Sequence, residues 1–117
     1  MDDWLRMYDT FPPNWASVIR DWAGTKSRIS RIFVFGSRAK GNARPTSDLD
    51  IGVLISGEDP DERLLYTMDN VNNWKSELNA LLPVSVDLQF AEPVSDYVVW
   101  PAIQDHGILV YQATRAE

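Results

Sequence analysis

The sequence predicts an α/β (α+β) fold, a small mixed sheet flanked by helices, and three observations carry that prediction. Helix and strand signals follow one another as helices, strand, strand, helix, strand, helix and strand, the order of a layered sandwich. Ile32-Phe33-Val34-Phe35 is apolar at consecutive positions, as a central strand covered on both faces requires. Val84 to Phe90 alternates instead, with Val84, Val86, Leu88 and Phe90 on one face and Ser85, Asp87 and Gln89 on the other.

Each element has its own warrant. Asp2-Asp3 caps a first short helix carrying Trp4, Leu5 and Tyr8. Pro12-Pro13 breaks it and opens a second, with Trp15, Val18, Ile19 and Trp22 at helical spacing and Gly24 as the stop. Ile29 to Phe35 is a strand ending at Gly36, and Ser37 to Lys40 has room for one helical turn. Residues 41–47 are loop by composition, and Asp48 to Ile55 is the second strand. Asp59-Pro60-Asp61-Glu62 combines a cap, a first-turn proline and acids suited to a helix N-terminus. Leu64, Met68, Val71, Trp74 or Lys75, Leu78 and Leu82 then recur at three- and four-residue intervals, predicting that this face packs on the sheet. Pro83 ends that helix. Val94 to Asp105 reads as another, with Pro101 set to break or kink it. Gly107 stops it, and Ile108 to Tyr111 is a closing strand.

The 117 residues suit one domain, with N-terminal helices over 1–24 and a core over 29–111. No run of 18 apolar residues suggests a membrane span, and the acidic N-terminus is unlike a signal peptide, so a cytoplasmic protein is expected. Without cysteine, disulfides, thiolate metal sites and cysteine nucleophiles are all excluded. The net charge of −6 argues against general nucleic-acid binding. Its distribution is uneven. Residues 26–47 carry six of the eleven basic residues and no acid, and this stretch leads directly to Asp48. A basic loop beside an acid cluster suits a nucleoside triphosphate, although a solvated basic face is the plainer reading.

The chemistry lies in three carboxylates. Asp48 and Asp50, two residues apart on a strand, are expected to point the same way, and like charges so placed call for a cation. Oxygen ligands without histidine or cysteine favour Mg²⁺ or Mn²⁺. Gly36 permits a turn whose N–H groups point at an anion, and Ser37 adds a hydroxyl. Taken singly, each feature has a bland alternative. Asp48 can cap the loop with Asp50 in solvent, Asp87 can be a surface residue, and Gly-Ser after a strand is common. Their joint placement at one rim of a sheet is the sharper reading.

Phe-Gly-Ser-Arg-Ala-Lys-Gly (35–41) followed by Thr-Ser-Asp-Leu-Asp-Ile-Gly-Val (46–53) resembles the signature of the polymerase-β-like nucleotidyltransferase superfamily. The Gly-Ser-x10-Asp-x-Asp spacing is complete, Asp87 in Val-Asp-Leu matches the third carboxylate, and residues 103–111 resemble the end of the minimal nucleotidyltransferases. The similarity spans roughly residues 29–111. It implies the polymerase-β-like fold and two Mg²⁺ ions held by Asp48, Asp50 and Asp87, with Asp87 as general base. It also implies Gly36, Ser37 and Arg38 at the phosphates, helped by Lys40 and, more loosely, Arg44.

Minimal nucleotidyltransferases act as antitoxins. The resemblance therefore implies transfer of AMP from ATP to a tyrosine of a cognate HEPN RNase toxin, in a hetero-oligomer that binds neither membrane nor nucleic acid. The chain shows no additional domain to hold an acceptor, so a partner protein is expected to supply it. Two alternatives stand beside this one: neutralisation mainly by binding the toxin, and transfer to a small molecule with a separate helical subunit. Trp15, Trp22 and Trp74 are expected in the core. Trp4 and Tyr8 suit either a binding surface or ordinary packing. His106, beside Gly107, is expected to interact with a helix C-terminus rather than to take part in catalysis.

Overall fold

A computed structural model describes residues 10–93 and 96–114. The helix expected around Trp4 and Tyr8 lies outside the described residues. In chain order the elements are α1 (Pro13–Ala23), β1 (Ile29–Phe35), α2 (Gly36–Lys40), β2 (Leu49–Ile55), α3 (Pro60–Leu81), β3 (Val86–Phe90), α4 (Val99–His106) and β4 (Ile108–Gln112). The four strands form one sheet in the order β3-β2-β1-β4. β1 runs antiparallel to β2 and β4, whereas β2 and β3 are parallel, with α3 as their crossover. The sheet is therefore mixed, as expected.

Its two faces differ, and that difference creates the site. Ile32, Val34, Leu49, Ile51, Val53, Val86 and Leu88 point to the face sealed by Ile19 and Trp22 of α1 and by Trp74 and Leu78 of α3. Fully burying each such aliphatic side chain contributes about 1.5–3 kcal/mol. The Trp22 and Trp74 rings meet edge to face at 5.7 Å, and Trp22 Nε1 donates to Glu77 at 2.8 Å. Phe33, Phe35 and Leu54 point the other way, towards α4 through Val99, Trp100 and Ile103. This helix has only eight residues and covers part of its face. A Cβ on Gly52 would lie 2.7 Å from Ile103 Cδ1, so glycine there lets α4 sit close.

Three expectations need correction. β2 begins at Leu49 and β3 at Val86, leaving Asp48 and Val84 just ahead of their strands. Leu64 and Met68 do not pack on the sheet: they are 58% and 64% exposed. The first turns of α3 are held in another rotation by ion pairs. Arg28 binds Glu62 at 2.6 Å while lying 4.3 Å over the Tyr66 ring, and Arg63 grips Glu92 at 2.9 and 3.0 Å. Tyr66 thus turns inward and meets Trp74 edge-on. Finally, Pro101 neither breaks nor kinks α4. It occupies the third helical position, where the backbone N–H has no intrahelical partner to lose. The cap is Asp96, which accepts the N–H groups of Val98, Val99 and Trp100 at 2.7–2.9 Å.

Candidate active site

A single rung of the sheet carries the site. Phe35, the last residue of β1, pairs with Asp50 of β2, and Asp50 pairs with Asp87 of β3. Neighbouring strands lie about 4.8 Å apart, so two carboxylates leave adjacent backbones side by side. Both project from the face that α4 only partly covers, because Leu49, Ile51, Val86 and Leu88 take the sealed face by alternation.

Gly36 follows the rung at a backbone φ of +77°, a left-handed value that glycine adopts without cost. A Cβ at this position would overlap Asp50 Oδ2, so the missing side chain also makes room for the carboxylate. Burial pushes the Asp50 carboxyl up to about 6, and the charges of Asp87 and Asp48 add to the effect. The carboxylate is half-buried and crowded by like charge, a poor place for an anion alone and a good one for a cation. Gln89, two residues along the same strand face, donates from Nε2 to both oxygens of Asp87 at 3.2 and 3.3 Å.

Asp48 sits apart from the rung. It is exposed, one residue ahead of β2, and reaches Asp50 through its charge. Among the described residues, no three His, Cys, Asp or Glu side chains converge into a group able to hold a metal ion. The structure therefore brings Asp50 and Asp87 together beside Gly36 and leaves Asp48 at the margin.

Arg38 points away from the rung. Arg38 is 3% exposed, and its guanidinium is directed into backbone carbonyls. Nε and Nη2 donate to Ser47 O at 3.0 and 2.9 Å, Nη2 also to Pro45 O at 3.1 Å, and Nη1 to Thr10 O at 2.8 Å. The Trp15 ring lies 5.3 Å away, and Thr10 Oγ1 donates back to Arg38 O. Burial lowers its pKa from the usual arginine value, with the charge of Asp48 in opposition. These contacts run against the expectation that Arg38 neutralises phosphate: the side chain clamps the loop leading into Asp48.

Two residues enter the site without having been expected there. Gln89 was legible in part, since strand alternation already put it on the face of Asp87. His106 was not. Its Nε2 accepts the Gly36 N–H at 2.8 Å across 70 residues of sequence, and its Nδ1 lies 3.0 Å from Asp105 Oδ2. The imidazole thus serves the turn after β1 rather than the end of its own helix.

A family model described as polymerase beta, nucleotidyltransferase, matches residues 18–116. No curated protein sequence matches significantly. The fold is similar to that in a crystal structure of a toxin-antitoxin with AMP-PNP, with a TM-score of 0.62 and 22% identity over 86% of this chain and 75% of that one. It is also similar to a toxin-antitoxin MntA-HpeT mutant, with a TM-score of 0.60 and 19% identity over 86% and 74% of the two chains. The family model spans the rung, the Gly36 turn and Arg38 together, and the chain belongs to the polymerase beta nucleotidyltransferase family.

Proposed function

We propose that this nucleotidyltransferase is an antitoxin that transfers AMP from ATP to a tyrosine hydroxyl of a cognate HEPN RNase toxin, in a Mg²⁺-dependent reaction, and so neutralises it. The observation that carries the reading is the Asp50–Asp87 pair on one rung beside the Gly36 turn. The AMP-PNP and the toxin-antitoxin pairing named for the structures of similar fold favour the same nucleotide and the same kind of partner.

Asp50 and Asp87 would supply oxygen ligands suited to Mg²⁺ or Mn²⁺, with the exposed Asp48 as the third carboxylate available to them. An ion held there would supply positive charge where charge builds in the transfer. The tyrosine oxygen forms a bond to the α-phosphorus while the bond to the pyrophosphate oxygen breaks. The hydroxyl proton passes to Asp87, whose carboxylate Gln89 holds in place. Ser37 faces the terminal phosphates and Gly36 lines the turn with its own N–H held by His106 rather than by phosphate, while Lys40 at the end of α2 and Arg44 on the following loop are both exposed beside them. Arg38 shapes that loop from within. The test is to incubate the chain with labelled ATP, Mg²⁺ and the cognate toxin. Label on the toxin, lost with Asp50→Asn or Asp87→Asn, is the expected result. An unlabelled toxin despite ATP binding would refute the proposal.

One observation favours a second reading, neutralisation mainly by complex formation. Leu64, Leu65 and Met68 stand exposed together on α3. Apolar side chains clustered on a helix surface suit a protein interface. Under this reading the Asp48→Asn, Asp50→Asn double variant still silences the toxin.

A further inference from the structure

The geometry points to His106 as a positioning residue that sets the Gly36 turn, and through it the carboxylate of Asp50. This inference rests on the reading of Gly36, Asp50 and Asp87 as the nucleotide site.

The argument begins with the sheet. β4 pairs with β1 through Phe33 with Leu109 and Val34 with Ile108, in antiparallel register. Continuing that register by two residues sets His106 opposite Gly36. No backbone rung forms there, because His106 ends α4 and Gly36 opens α2. The imidazole takes the place of the missing rung: Gly36 N–H donates to Nε2 at 2.8 Å. A ring nitrogen that accepts this bond carries no hydrogen, so the hydrogen of the neutral ring is on Nδ1, directed at Asp105 Oδ2 at 3.0 Å. Asp105 thereby fixes the tautomer that Gly36 needs.

The ring is also held in position from behind. Gly107 N–H donates to Ile103 O at 2.7 Å, and a Cβ on Gly107 would lie 2.6 Å from that oxygen. Only glycine lets the chain leave α4 this tightly and enter β4. Ile103, one turn before His106, is packed on Gly52 of β2. The histidine is therefore anchored by a helix, a strand and its hydrogen-bond partner Asp105, and it reaches the backbone position that lies against the Asp50 carboxylate. From Asp105 through His106 and Gly36 to Asp50 there is an unbroken chain of contacts.

Three variants separate this role from a merely structural one. His106→Ala and His106→Phe remove the acceptor, whereas His106→Gln offers an amide oxygen in its place. At pH 8, without nucleotide, the Gly36 amide proton and the Asp50 carboxyl carbon are followed by NMR. Both resonances are expected to move in the Ala and Phe variants and to return towards wild type in Gln. Mg²⁺-ATP affinity, read by calorimetry, is expected to fall about tenfold in Ala and Phe, and no more than about threefold in Gln, as loss of one well-placed hydrogen bond implies. An unchanged Asp50 resonance, or Gln behaving like Ala in both measurements, overturns the inference. If wild type fails to bind Mg²⁺-ATP, the nucleotidyl-transfer reading fails; the two resonances still decide the role of His106.

Discussion

Asp50 and Asp87 face each other from adjacent parallel strands, so one rung of the sheet holds two acids side by side. Such a pair weakens the fold that carries it. The folded-state pKa of Asp50 is raised to about 6, from an ordinary 3.8, by burial first and then by Asp87 and Asp48. The folded protein therefore holds this proton more tightly than the unfolded chain. The contribution of Asp50 to stability is greatest below about pH 4, declines between about pH 4 and 6, and is level above that.

Replacing Asp50 with Asn should thus raise the melting temperature at pH 8 more than at pH 4. The pKa shift sets an upper bound of about 3 kcal/mol, and solvent screening of a half-buried group reduces this to about 1–2 kcal/mol. Thermal melts at the two pH values, without divalent cation, make the comparison. A lower melting temperature for Asp50→Asn at pH 8 would contradict the repulsion described here.

Mg²⁺ should reverse the wild-type penalty. At a concentration about 100 times its dissociation constant, a cation bound only to the folded state stabilises by about 2.7 kcal/mol. At pH 8 the ion meets carboxylates, while at pH 5 it competes with the proton on Asp50. The Mg²⁺-induced rise in melting temperature is accordingly expected at pH 8, small at pH 5, and absent from the Asp50→Asn, Asp87→Asn double variant. Equal rises at both pH values would place the ion elsewhere.

Arg38 is expected to behave as a scaffold. Its guanidinium fork serves carbonyls on both the residue 44–47 loop and Thr10, and a lysine cannot reproduce that geometry. Arg38→Lys should cost about 2–4 kcal/mol in urea denaturation, because buried carbonyls lose charged donors. A variant of full stability whose only defect is weak ATP binding would instead return Arg38 to the phosphates.

The outward face of α3 makes the opposite prediction. Leu65→Glu with Met68→Glu should leave stability within about 0.5 kcal/mol, since neither side chain is packed. Trp74→Ala, which empties the space beneath Trp22 and Tyr66, should cost about 3–5 kcal/mol. Under the binding reading, the double glutamate variant also loses its hold on the toxin in a pull-down. Retained capture would leave this face without that role.

Local patterns were enough to outline the fold. The consecutive apolar residues of β1, the Asp59-Pro60 cap of α3 and the period-two alternation of β3 each name an element without knowledge of the rest of the chain, and the alternation of β3 also names its buried side. They do so because backbone periodicity and capping act over only a few residues. The spacing from Gly36 to Asp50 and the polar placement of Asp87 were legible for the same reason.

What only the tertiary structure decided concerns contacts between distant segments. Arg38 turns inward because a ring of carbonyls converges on it from Thr10 and residues 45–47. Leu64 and Met68 face outward because ion pairs from Arg28 and Glu92 fix the rotation of α3. His106 reaches Gly36 because β4 returns beside β1. In each case the outcome depends on polar groups contributed by other elements, and sequence spacing carries no record of which of those groups will meet.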